Sequence, residues 1–438
     1  MLRYYFMLGV RGLRRNAALT ALMVLTLAIG VAASVATLTI VHVMSGDPIP
    51  GKSARLFSPL LDNGELAGYV PGAPPADDLM TYRDAAALLA GQQGARRTAI
   101  YGTSLALEPA RADMPPSRQQ GLATTRDFFA MFEVPLRYGQ PWSAADEARG
   151  ADVLLISAAL SETLFGQADP VGRRVRLGGV DYQIAGVTGR WAPLPRYYQL
   201  ANREDAFDSQ EDYFIPLATA VRHQIDLDGS MHCHAPGTKP GFQGRLESEC
   251  TWIQFWFETA GARERGMLLD YLNSYTREQF RLGRFQRRGA NQLFDVMDWL
   301  EHRKVVGNDQ RLAAWLAFGF LLLCLVNTVG LLLAKFSARA AEVGIRRALG
   351  ASRRAIFQQF LIETAVIGLG GGVLGLLFAF LALKLIALQS KTMETVAHLD
   401  PGMLALTFAL SVLAALLAGL LPTWRACQIT PAMQLKSQ

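Results

Sequence analysis

Charge is distributed along this chain in a way that leaves little freedom of fold. Asp, Glu, Lys and Arg are missing altogether from Ala17 to Met44, from Leu312 to Ala334, from Thr364 to Leu383 and from Met403 to Thr423. A bilayer core takes roughly 20 consecutive apolar residues as helix, because nothing there but the helix itself satisfies the backbone. Four transmembrane helices are therefore predicted, one near the N-terminus and three near the C-terminus. Between the first and second lies a stretch from Ser45 to Asn308 of mixed composition, long enough for one or two folded domains. Read as a secretory signal, Arg11 to Ala36 would be cleaved near Ala32 to Ala36. Its apolar run far exceeds the roughly 7–15 residues of such a signal, so it is expected to stay as an anchor.

Lysine and arginine beside transmembrane ends are retained in the cytoplasm. Arg3, Arg11, Arg14 and Arg15 precede the first span, and Lys335, Arg339, Arg346, Arg347, Arg353 and Arg354 fill the loop between the second and third against one acid, Glu342. In the loop before the fourth span, Lys384 and Lys391 are balanced by Glu394 and Asp400. Both termini and the basic loop are thus expected in the cytoplasm and the large domain outside, in a multi-pass protein of the bacterial inner membrane. This bias accounts for the net charge of +6, which is not read as nucleic-acid binding.

The outer stretch reads as α+β. Asp77 or Asp78 is placed to cap a helix carrying Leu79, Tyr82, Ala86 and Leu89, ending near Gly91. Strands are predicted over 98–107, 120–125, 152–156 and 252–258, with a hairpin over 173–186 around Gly178-Gly179. Short helices are predicted over 127–132 and, capped by Ser157, up to Phe165, with a longer one over 263–280. From 190 to 249 the chain turns polar and loses periodicity, and reads as an insertion or a small subdomain. Leu293, Val296, Met297 and Leu300 predict a helix that runs past Gly307-Asn308 into the second span as a stalk. Trp252, Trp256, Tyr197 and Tyr198 suit either core packing or contact with an apolar substrate, the first being the commoner use.

The cysteines divide by topology. Cys324 lies in a span and Cys427 in the cytoplasmic tail, where thiols stay reduced; Cys233 and Cys250 lie outside, where an oxidising compartment pairs them. A metal site made by His232, Cys233, His234 and Cys250 is the alternative, disfavoured because adjacent ligands rarely converge on one ion. The sequence has no G-x-x-x-x-G-K-[ST] phosphate loop, G-x-S-x-G elbow or H-E-x-x-H pair, so no catalytic, cofactor or metal residues are assigned.

The basic loop is the most informative segment. Glu342 precedes Arg346 by four residues, Arg346 and Arg347 sit in a last helical turn that favours cations, and Gly350 is placed to end that turn. Ser352 is placed to cap the next helix, which carries Phe360 and Leu361 into the bilayer. By itself this describes a short amphipathic helix on the membrane surface, held to anionic lipid by its arginines.

With Asn327 and the run Leu331 to Ala334 before it and the glycines Gly368, Gly370, Gly371, Gly372 and Gly375 after it, the loop resembles that of MacB/FtsX-type ABC transporter permeases. The ending Gly419 to Ala426, then Thr430-Pro431 and Leu435, is similar to the family's closing pattern, although Gly330 stands where many relatives carry Asn. Phe128-Phe129, the stretch Val153 to Phe165, and Asp169 to Arg173 followed by Gly186-Val187 resemble its periplasmic core domain. The resemblance implies a membrane protein of four transmembrane helices in a 1+3 arrangement, with an α+β periplasmic domain between the first and second. Its segments are 1–16, 17–44 (span), 45–308 (outer domain), 309–334 (span), 335–358 (coupling loop), 359–388 (span), 389–402, 403–424 (span) and 425–438.

The same resemblance implies that Glu342, Val343, Ile345, Arg346, Arg347, Leu349 and Gly350 couple the chain to an ATPase. That ATPase is expected as a separate cytoplasmic subunit binding ATP and Mg, alongside a second permease in a homodimer or heterodimer, with surrounding lipids and, for export, a periplasmic adaptor and outer-membrane channel. An FtsX-like regulatory permease acting on a cell-wall hydrolase or sensor, or a lipoprotein-releasing permease, are the alternative functions of such a chain.

Overall fold

The computed structural model describes residues 16–388 except 71, 73, 74, 76, 110–113, 203–205, 208, 209, 235–238, 262, 263, 288 and 290, together with scattered residues between 402 and 424. The chain forms two bodies, one made of Met1–Ser45 and Val306–Gln438 and the other of Gly46–Val305.

The first body contains α1 (Ala17–Ser45), α2 (Asn308–Ser337), the short α3 (Ala340–Ala348) and α4 (Arg353–Ala387). Among the described residues α1, α2 and α4 are long and apolar enough to cross a membrane. The fourth span, expected over 403–424, is described only at scattered residues, and these are helical. The segments 1–15, 389–401 and 425–438, with Cys427, also lie outside them.

The glycines of α4 act at two places. A Cβ added at Gly371 would come 2.8 Å from Leu27 Cβ, and one at Gly375 would come 2.8 Å from Val31 Cβ. Small residues here let the α1 and α4 backbones approach closely, which is the main source of packing energy between helices in lipid. Met23, Leu27, Leu332, Phe336, Ile356, Phe360 and Ile367 fill the space between α1, α2 and α4.

The second body is built on strands β1 (Leu56–Leu60), β2 (Met80–Thr81), β3 (Arg96–Glu108), β4 (Ser117–Thr124), β5 (Leu136–Gly139), β6 (Val153–Ile156), β7 (Arg174–Leu177), β8 (Val180–Thr188), β9 (Tyr213–Pro216), β10 (His232–Cys233), β11 (Cys250–Glu258) and β12 (Gln292–Asp295). Nine of them run side by side in the order β12-β1-β11-β3-β4-β9-β6-β8-β5. The hairpin expected around Gly178-Gly179 is β7–β8, and Ser157 caps the helix Ala158–Phe165 through Leu160 N (3.1 Å).

All nine residues of β11 are buried, so its Ile253, Phe255 and Phe257 pack on one face while Trp252 and Trp256 pack on the other. Trp256 Nε1 donates to the Tyr198 carbonyl, and Trp299 Nε1 to that of Tyr197, both at 3.1 Å.

Three expectations are corrected. The segment 190–249 is not a separate subdomain: its β9 lies inside the sheet, parallel to β4 and antiparallel to β6. Four residues ending in Pro216 are too few to show periodicity, and the polar flank hides a buried pair, Arg196 with Glu211, to which Tyr198 Oη also donates (2.8 Å). The helix after the Pro-rich turn is capped by Thr81, whose Oγ1 accepts from Asp84 N (3.1 Å), and not by Asp77 or Asp78. Met80 and Thr81 are taken by pairing with β11, so the helix starts later and buries Asp84, Ala85 and Leu88.

The expected stalk is also broken. Leu293 belongs to β12, Asp295 then caps the helix Val296–His302, and Lys304 takes φ +51°, a left-handed conformation that ends it before α2 begins.

Cys233 and Cys250 face each other across β10 and β11, and their sulfurs are bonded at 2.11 Å. The neighbouring His234 Nε2 is hydrogen-bonded to Asp77 Oδ2 (2.8 Å), which also accepts from Thr251 Oγ1 (2.8 Å). Alkylation of the unfolded, unreduced chain is expected to label Cys324 and Cys427 only. Labelling of all four cysteines would refute the bridge. Cys233→Ser should cost up to about 3 kcal/mol, read as a lowered melting temperature that reductant no longer affects.

Candidate functional site

The short helix α3 lies between two spans and is fixed at both ends by local chemistry. Gly350 follows it with φ +97°, a conformation open to glycine at little cost, which turns the chain back toward α4. Ser352 Oγ then accepts from Ala355 N (3.2 Å) and starts α4.

One face of α3 is fastened to the membrane body. Val343 is buried with Met23, Phe336 and Ile356, and Gly344 beside it is buried too. Arg346 pairs with Glu342 at 2.5 Å and donates from Nη1 to Gln359 Oε1 of α4 at 3.1 Å. The opposite face carries Ala341, Ile345, Ala348 and Leu349, all exposed, with Ile345 63% and Leu349 83% accessible. Their spacing places them on one side of a helix, so the exposed surface of α3 is an apolar stripe with Glu342 and Arg346 along one edge.

Behind α3 sits a buried cluster of charges. Lys335 Nζ of α2 lies 2.6 Å from Glu363 Oε1 of α4 and 3.2 Å from Thr20 Oγ1 of α1, and Arg339 Nη1 reaches Glu363 Oε2 at 3.1 Å. The Lys335 and Glu363 side chains have 0% and 1% of their surface exposed. One carboxylate therefore joins α4 both to α2, through Lys335, and to the turn leading into α3, through Arg339, while Lys335 also reaches α1. Charges so placed are costly in a membrane body and are kept only when paired.

Of the seven residues expected to couple, Val343 faces inward, Glu342 and Arg346 form the clamp on α4, and Ile345 and Leu349 face outward. Arg347 is half-buried, and Gly350 forms the turn. By sequence Lys335 and Arg339 belong to the loop charges, and Glu363 has no assigned role. A signal for the pair is present: Lys335 between Ala334 and Phe336, and Glu363 between Ile362 and the uncharged run that starts at Thr364, are opposite charges at the facing ends of consecutive spans. In the other body Tyr197, Tyr198, Trp252 and Trp256 are each 0% exposed, which assigns them to the core and not to substrate contact.

Two family models match. That of the MacB-like periplasmic core domain covers residues 20–238, half of the chain, and that of the FtsX-like permease C-terminal covers residues 314–431. The macrolide export ATP-binding/permease protein MacB of Azoarcus sp. (strain BH72) is 26% identical over 438 residues, which is 98% of this chain and 59% of that protein. An uncharacterized ABC transporter permease, YvrN of Bacillus subtilis (strain 168), is 25% identical over 314 residues, 71% of this chain and 68% of its own. The crystal structure of the periplasmic region of MacB from Actinobacillus actinomycetemcomitans aligns with 58% of this chain and 94% of that one, at 11% identity and a TM-score of 0.36. The chain spans 59% of the Azoarcus MacB and 41% of the MacB of Agrobacterium fabrum (strain C58 / ATCC 33970).

Proposed function

The chain belongs to the MacB/FtsX-type ABC transporter permeases of the bacterial inner membrane, and from that premise we propose that it passes the work of a separate ATPase to its extracytoplasmic domain in order to export a substrate. The observation that carries this reading is the two-faced α3. Its inner face is bolted to the spans by Val343, by the Arg346–Gln359 bond and by the Lys335–Glu363–Arg339 cluster, while Ile345 and Leu349 stand exposed. An exposed apolar stripe on a helix whose other side is rigidly held suits a protein partner, because force applied to it moves α2 and α4 instead of bending a loop.

In this reading the arginine-rich loop and both termini are cytoplasmic, following the distribution of basic residues at the span ends. ATP and Mg bind the partner ATPase. Two permeases and two ATPases form the working unit, and closure of the ATPases drives α3. Substrate is taken up on the periplasmic side and handed to an adaptor and outer-membrane channel. The two chain segments joining the bodies, at Ser45–Gly46 and across 303–307, are the covalent routes for the motion.

Co-expression with the ATPase encoded beside this chain is expected to yield a complex that survives purification, with ATPase activity above that of the free subunit. Introduction of Leu349→Cys should allow a cross-link to that ATPase. A purified chain that neither retains nor stimulates it would refute the coupling role. Recovery of an amidase activator in place of an adaptor would turn the reading toward a regulatory permease.

A further inference from the structure

The span α2 meets α1 along one side. Ala317, Cys324 and Thr328 are buried there, the Ala317 carbonyl accepts from Ser34 Oγ (3.2 Å), and a Cβ added at Gly30 would come 3.0 Å from Cys324. Beside this contact runs a second line, Leu316, Phe320, Leu323, Asn327, Gly330 and Ala334, and all six are exposed. Their spacings alternate four and three residues, the repeat that keeps one side of a helix against a partner along its length. Trp315, Phe318, Leu322 and Val326, exposed outside that repeat, are large and apolar, which suits lipid.

One member of the line is foreign to lipid. Asn327 lies about 12 Å along the helix from Lys335 and about 24 Å from Arg311, well inside the hydrocarbon. No water reaches an amide at that depth, so leaving its groups unmet is costly. The hydroxyls of the spans avoid this cost: Thr26, Thr328 and Thr364 each donate to the carbonyl four residues back, and Ser34 donates to Ala317. The Asn327 side chain has no hydrogen-bond partner among the described residues. The next two members, Gly330 and Ala334, are small, and no described atom lies within 4 Å of the place a Cβ would take at Gly330. That glycine therefore answers no contact inside the chain.

We infer that this line is a seam on which α2 of a second copy of the same chain packs, with the two Asn327 amides hydrogen-bonded to each other across the two-fold axis. The occupant follows from the chemistry. A carboxamide carries both donor and acceptor, so its own twin completes it, whereas lipid tails offer neither. Two copies cross the bilayer in the same direction, so their α2 helices run parallel and each seam residue meets its counterpart. A single asparagine in such a seam fixes the register and favours two strands. Gly330 and Ala334 let the backbones approach at the end nearer α3. The seam rests on the reading above in which two permeases form the working unit, and names the second as an identical chain.

Single cysteines are placed in the full chain with Cys324 and Cys427 replaced by serine, and bacterial membranes are treated with copper phenanthroline. Disulfide-linked dimers are expected from Leu316→Cys, Phe320→Cys and Leu323→Cys, with little product from Phe318→Cys or Leu322→Cys. Energy transfer between fluorescently labelled chains in phosphatidylcholine vesicles should show association about fivefold weaker for Asn327→Leu and near that of the unchanged chain for Asn327→Gln. These variants keep the native cysteines, so they decide even if the serine background does not fold. Unchanged association in Asn327→Leu, or a chain that stays monomeric until a different permease is co-expressed, would overturn the seam. Dimers cross-linked most strongly through Phe318→Cys or Leu322→Cys would also overturn it while leaving the paired working unit standing. Retention of the ATPase by the same membranes reports the α3 reading separately.

Discussion

Replacing Glu363 by alanine is expected to destabilise the membrane body by about 3–5 kcal/mol, the range for removing one partner of a buried ion pair. The cost comes less from the lost attraction than from what is left behind. Among the described residues Lys335, with no exposed side-chain surface, would keep Thr20 Oγ1, and Arg339 would lose the Glu363 carboxylate. Glu363→Gln should cost less, because an amide oxygen still accepts from one of the two cations. The double change Glu363→Leu with Lys335→Met should recover much of the loss, since an apolar pair of similar volume removes the desolvation penalty of both ions. Unfolding of the detergent-solubilised variants, followed by circular dichroism, checks the order. Should Glu363→Ala cost under about 1 kcal/mol, the value of an exposed pair, the cluster would be open to water and would not be the structural tie described here.

That cluster also marks where sequence reasoning stopped. The spans were legible because a long uncharged run has few other uses, and the α3 turn was legible because Gly350 and Ser352 have strict local roles. The pairing of Lys335 with Glu363 is not legible because sequence gives charge but not depth, and a charge at the end of a span reads as facing water until its partner on another helix is known. In the outer body the hairpin β7–β8 and strand β11 declared themselves by pattern and turn residues. β9 did not, since its place in the sheet is set by β4 and β6, distant in sequence, and four residues carry almost no period. The break between the helix Val296–His302 and α2 was missed for a similar reason. Asp295 is an ordinary helix cap, but only the pairing of β12 with β1 shows that Leu293 lies in a strand.

Ile345→Glu combined with Leu349→Glu is expected to uncouple the chain from its ATPase while leaving its own fold intact. Both side chains are mostly exposed, so no cavity is made and no buried group loses a partner. The stability of the isolated chain should change by less than about 0.5 kcal/mol. At an interface, two anchors of this kind carry about 2 kcal/mol or more, so affinity for the ATPase should fall on the order of thirtyfold, with stimulation of ATP hydrolysis lost alongside. Arg346→Ala tests a different link. It removes the bond from α3 to Gln359 of α4 without changing Ile345 or Leu349, so the ATPase should still bind while its hydrolysis is no longer transmitted. The two variants together separate docking from leverage. If the double variant still bound and stimulated the ATPase but left the membrane fraction more readily, the stripe would be resting on lipid, and α3 would be an anchor.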